Sequence, residues 1–123
     1  MQPTAIDYLE NEWTFVVSSR SALRRFQSWD SECLNRFSGI QDVVNAIQSR
    51  DNPEEINAIL YALMERADRD QLAARIILQA LLPGVKSIVS IYRYLDSIED
   101  IASGVITSAM ERIRSYPLGR RPD

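Results

Sequence analysis

Apolar residues along this chain recur at intervals of three and four through the whole second half, and strict apolar/polar alternation is almost absent. That periodicity predicts helices. The clearest start is Asp51-Asn52-Pro53-Glu54-Glu55. There Asn52 can cap, Pro53 suits the first helical position, and Glu55 stands where the acid of a capping box belongs. Ile56, Ile59, Leu60, Leu63, Met64 and Ala67 then form one apolar stripe of about four turns. After the polar break Asp68-Arg69-Asp70, a second stripe follows at Leu72, Ala73, Ile76, Ile77, Ala80 and Leu81, widened by Leu78 and Leu82. So apolar a helix is expected at the centre of the fold.

Pro83 and Gly84 are expected to end or bend that helix, because proline lacks the backbone donor and biases its predecessor away from helix. Helical spacing resumes at Val85, Ile88, Val89, Tyr92 and Leu95. A last helix is expected from Asp96 or Ser97, with Ser97 as cap and Glu99 and Asp100 favoured by the helix dipole. Its inner face reads Ile98, Ile101, Ala102, Val105, Ile106, Ala109, Met110 and Ile113, and it should stop before Pro117. Gly104, in its middle, suggests a close helix crossing.

The first fifty residues are less regular. Ser21–Trp29 fits a short helix with Ala22, Leu23, Phe26 and Trp29 inward, and Ile40–Ser49 another with Val43, Val44 and Ile47 inward, Ser38-Gly39 marking a loop between them. Thr14-Phe15-Val16-Val17 has strand-like composition but no partner strand, so helix or extended packing is expected there. The expected fold is all-α: a single domain over residues 1–123, a bundle of about five to seven helices with N-terminal helices in 1–50, core helices in 51–116 and a basic tail at 117–123.

Composition fits such a domain, with 46% hydrophobic and 25% charged residues. No apolar run approaches the roughly 18 to 20 residues of a membrane span, and the N-terminus lacks signal-peptide character, so a cytoplasmic protein without membrane contact is expected. The single cysteine, Cys33, cannot form an internal disulfide and reads as a small core residue. The net charge of −3 argues against bulk coating of nucleic acid. Residues 85–123 are nevertheless mildly basic, with six Lys or Arg against five Asp or Glu. Arg112, Arg114, Arg120 and Arg121 form either a solvated face and tail or a weak nucleic-acid contact.

Chemistry-bearing constellations are scarce. There is no histidine, one cysteine, and glycine only at positions 39, 84, 104 and 119. That excludes a Ser-His-Asp triad, a Cys-His pair, the common zinc sites and a Gly-rich phosphate loop. Glu54-Glu55 and Glu99-Asp100 fall at expected helix starts, where acids serve the dipole. No catalysis and no cofactor are expected. Trp13, Trp29, Tyr92, Tyr94 and Tyr116 are read chiefly as core, although an exposed pair would suit a partner interface.

As a whole, the segment from Asp70 to Pro122 resembles the second conserved region of sigma-70 family transcription factors, especially the short extracytoplasmic-function type. The counterparts are the helix from Asp70 to Ala74, the segment Leu81 to Pro83, the helix Val85 to Leu95, and Ser97-Ile98-Glu99-Asp100-Ile101 with the helix that follows. The ending Tyr116-Pro117-Leu118-Gly119-Arg120-Arg121-Pro122 is similar to a phrase in sigma-like regulatory proteins of high-GC Gram-positive bacteria. The resemblance implies that Glu99 and Asp100, with Ser103 beside them, meet basic residues on the clamp helices of RNA polymerase. The chain departs from the family at Ser103-Gly104, where a Gln-Glu pair is usual, and ends at Asp123, before the promoter-melting and promoter-reading elements. Two functions are therefore expected as alternatives. One is a transcription-associated protein that binds RNA polymerase or a regulatory partner; the other is a helical protein-interaction module unrelated to transcription.

Overall fold

The structure, a computed structural model, describes residues 4–92 and 98–115, except the side chains of residues 98 and 99. Among the described residues there are seven helices and no strand: α1 (Ala5–Ser18), α2 (Arg20–Ser28), α3 (Glu32–Asn35), α4 (Ile40–Ser49), α5 (Pro53–Ala67), α6 (Gln71–Tyr92) and α7 (Ile98–Ser115). The all-α expectation holds. The expected helix start at Asp96 or Ser97, and Tyr94, Leu95 and residues 116–123, lie outside the described residues.

Local signals explain most boundaries. Thr4 and Asp7 form a capping box for α1, the Thr4 hydroxyl accepting from the Asp7 N–H and the Asp7 carboxylate from the Thr4 N–H. Ser19 closes α1 and caps α2, so a single residue joins the two helices. The strand-like run Thr14 to Val17 is helical: with no strand to pair it, its backbone groups are satisfied within α1. Asn52 accepts from the Glu55 N–H at 3.2 Å, with Pro53 in the first turn of α5. Glu55 does not complete a capping box, however; its carboxylate pairs with Arg36.

α6 is central, packing against α1, α4, α5 and α7. The main core cluster joins Trp13, Phe26, Trp29, Leu34, Val43, Val44 and Ile47 from the first fifty residues to Ile59, Leu63, Ile76 and Leu78. A smaller cluster joins Ile6 of α1 to Leu82, Val85 and Val89 of α6 and Ala102 of α7. Cys33 is half-buried beside the main cluster, with Sγ 3.6 Å from the Ala58 carbonyl.

Pro83 neither ends nor breaks α6, which runs unbroken for 22 residues. A proline at 83 cannot donate to the carbonyl of Gln79 four residues back. Gln48 of α4 supplies donors instead, its Nε2 lying 3.5 Å from the Gln79 oxygen and 3.3 Å from that of Ala80. The uninterrupted helix is long and apolar enough to cross a membrane, at a mean hydropathy of 1.5, but half of that window is buried inside the bundle, where α6 is the core helix.

Two further expectations need correction. Leu81 and Ile88, placed on the apolar stripes, are 44% exposed, because α4, α5, α1 and α7 cover the other sides of α6; Tyr92, whose orientation the sequence leaves open, is 48% exposed. Gly104 marks no close crossing, since a Cβ built there meets nothing within 4 Å.

Candidate functional site

Asp100 near the start of α7 and Arg112 and Arg114 at its end sit on its solvent side. Ala102 and Ile113 are buried and Ile101, Val105, Ile106, Ala109 and Met110 half-buried, which fixes the inner face. Asp100, Gly104, Thr107, Ser108 and Glu111 are exposed and Ser103 is half-buried. The side chain of Glu99 is outside the described residues. Arg112 and Arg114 are exposed in the last turn, where cations complement the helix dipole. At 1.5 Å rise per residue, Asp100 and Arg112 stand about 18 Å apart along the axis, so the acidic and basic residues are two separate surfaces. Arg120 and Arg121 fall outside the described residues.

A denser polar site, unforeseen from the sequence, lies where α2 meets the turn between α5 and α6. Asp70 is 9% exposed. Its Oδ2 accepts from the Trp29 indole Nε1 at 3.0 Å and from Arg25 Nε at 3.0 Å. Its Oδ1 accepts from the Leu72 N–H at 3.0 Å and from the same Arg25 Nε at 3.1 Å. Burial alone raises the carboxyl pKa. The hydrogen bonds from Arg25, Trp29 and the Leu72 amide, with the Arg25 charge, together outweigh burial and hold it below the usual aspartate range. Trp29 is in turn packed edge-on against Phe26, ring centres 5.6 Å apart, and lies under the Arg66 guanidinium at 5.5 Å.

Two open clefts flank this network. One, of about 490 Å³, is lined by Ser21, Ala22, Arg25, Arg69, Gln71 and Leu72. The other, of about 340 Å³, shares Arg25 and Arg69 and adds Ser28, Asp30 and Arg66. The sequence signal was present but diffuse: α2 carries three arginines and no acid, and Asp70 sits just before the apolar run of α6.

A second buried charge holds α1. Arg75 is 9% exposed, and among Leu72 to Pro83 it is the one charged residue. It donates to Glu12 at 2.6 Å, to the Leu9 carbonyl at 2.7 Å and to Gln79 at 3.0 Å, and it lies 5.2 Å from the Trp13 ring centre. Lys86 pairs with Glu10 further along the same helix pair. Among the described residues, every buried side-chain nitrogen or oxygen has a hydrogen-bond partner, and no group of three or more His, Cys, Asp or Glu could hold a metal ion. Comparison with family models, with characterised proteins and with solved structures finds no match to this chain.

Proposed function

We propose that this chain is a non-catalytic helical protein that binds RNA polymerase or an associated regulator through the outer face of α7. The observation that carries it is the presentation of that face. An 18-residue helix is anchored by its apolar side and displays Asp100, Gly104, Thr107, Ser108 and Glu111 to solvent, with Glu99 and Asp100 in its first turn. The sigma resemblance supplies the partner, since acids at the start of this helix are the ones that would meet cationic clamp residues. Complementary charge of this kind steers encounter and sets orientation.

The test is binding of purified RNA polymerase to the full chain, with Glu99→Lys/Asp100→Lys and Arg112→Ala/Arg114→Ala as paired variants and circular dichroism confirming equal helix content. Loss of about tenfold or more in affinity for the acid-reversed variant, with the arginine variant retained, supports the proposal. Equal binding by both variants, or no binding by the parent, overturns it.

A specific observation favours the second reading, an interaction module outside transcription. Ser103-Gly104 offers no long side chain at the position of a sigma-type contact, while α6 exposes Leu81, Ile88, Ile91 and Tyr92. Exposed aromatic and aliphatic side chains are what a protein partner desolvates. Capture from host lysate at low and physiological salt, with mass spectrometry of the bound proteins, separates the two: polymerase subunits under the first reading, a different and salt-resistant partner under the second.

A further inference from the structure

An arginine guanidinium presents five N–H donors in a planar fork that matches a phosphate or carboxylate, and it binds best when held in place beforehand. Arg25 is held in that way. Both of its hydrogen bonds to Asp70 run from Nε, so its two terminal amino groups are left for the cleft of about 490 Å³ that it lines. Arg69 lines the same cleft with its side chain 74% exposed, and its approach to Asp68, 3.9 Å, is too long for a hydrogen bond. Ser21 and Gln71 add a hydroxyl and an amide, and no acid is among the lining residues.

The surroundings are mainly cationic, with Asp68 as the acid that approaches Arg69, at 3.9 Å. α2 carries Arg20, Arg24 and Arg25 without a carboxylate. The positive end of the 22-residue α6 opens at Gln71. Asp70 already receives the Arg25, Trp29 and Leu72 donors. Asp30 lines the neighbouring cleft and not this one.

We infer that the cleft between α2 and the start of α6 is a binding site for a phosphate group, clamped between Arg25 and Arg69, with Asp70 as the residue that positions Arg25. The group belongs either to a small phosphorylated molecule or to a nucleic-acid backbone. This surface lies on helices other than the α7 face proposed for polymerase, so failure of either leaves the other standing.

The experiment is NMR titration of the isotopically labelled full chain with inorganic phosphate, adenosine monophosphate and a short mixed-sequence single-stranded oligonucleotide, each against sodium chloride at equal ionic strength. Saturable shifts at the amides of Ser21, Ala22, Gln71 and Leu72 are expected. Arg69→Ala, at an exposed position that does not threaten folding, should weaken binding about tenfold, and Arg112→Ala/Arg114→Ala should not. Arg25→Lys, which keeps the charge and loses the fork, should weaken it as well. Much tighter, salt-dependent binding of the oligonucleotide identifies a nucleic-acid backbone as the source, whereas equal affinity for the mononucleotide identifies a small phosphorylated ligand. Shifts that do not saturate, or that survive Arg69→Ala, overturn the site.

Discussion

Replacing Asp70 by alanine removes three acceptor interactions at once, and each has a separable magnitude. The Leu72 amide loses an N-cap of the kind worth about 1 kcal/mol. The Trp29 indole N–H, buried beneath Arg66, is left without an acceptor at about 1 to 3 kcal/mol. The Arg25 contact adds less than about 1 kcal/mol, because that side chain is 58% exposed and its charge is screened by solvent. The total is about 3 kcal/mol, a large fraction of the roughly 5 to 15 kcal/mol that holds a domain folded. With a urea slope of about 1.5 kcal/mol/M, the midpoint followed by circular dichroism should fall by about 2 M. Asp70→Asn keeps an acceptor for the cap but not the charge, so it isolates the ionic part. The folded-state pKa of Asp70 is depressed, so the stability it contributes is fully present above the unfolded-state value near 4 and is lost as pH falls through the folded value. The gap between the parent and Asp70→Asn should therefore be widest at neutral pH, narrow below about pH 4 and close at still lower pH. An Asp70→Ala midpoint within about 0.3 M of the parent, or a gap independent of pH, would refute the assignment of Asp70 as the carboxylate that fixes α2 to the α5–α6 turn.

Pro83→Ala should stabilise the protein by about 1 to 2 kcal/mol by restoring a donor to the Gln79 carbonyl. Gln48→Ala should then cost about 1 kcal/mol in the parent and much less beside Pro83→Ala, and additive midpoints across this double-mutant cycle would show that Gln48 does not serve the carbonyl freed by proline. Arg75→Ala should destabilise by about 3 kcal/mol, since it leaves the Leu9 carbonyl and Glu12 without their shared donor. Hydrogen exchange should show α1 losing protection first in that variant; uniform loss across all helices would argue against a local anchoring role.

The helices that sequence periodicity placed best are those whose ends carry their own signals. α5 begins at the cap and proline that define it, and α4 spans the same residues, Ile40 to Ser49, that its apolar spacing marks. α1 was hard to see because its capping box lies at Thr4 and Asp7, well before the strand-like run at Thr14 to Val17. Pro83 does not end α6 for a non-local reason: the donor that makes the proline tolerable comes from Gln48, 31 and 32 residues before the carbonyls it serves. On α7 the inner face was legible from spacing alone, and so was the outward position of Asp100, Arg112 and Arg114.

The two buried charges were not legible, and their placement explains how the N-terminal half finds its seat. Asp70 and Arg75 stand five residues apart at the start of α6, each bonded to a partner far away in sequence, Arg25 and Trp29 in the first case and Glu12 and Leu9 in the second. An apolar stripe accepts an amphipathic helix at several registers with little difference in energy. A buried carboxylate and a buried guanidinium do not, because a register that leaves either without its donors or acceptors carries the full desolvation cost of a charge. Asp70 therefore selects α2 and Arg75 selects α1, and the apolar contacts of Trp13, Phe26 and Trp29 then form in the register those charges allow. The same arrangement uses only Nε of Arg25 for Asp70, and the arginine lines both open clefts beside it.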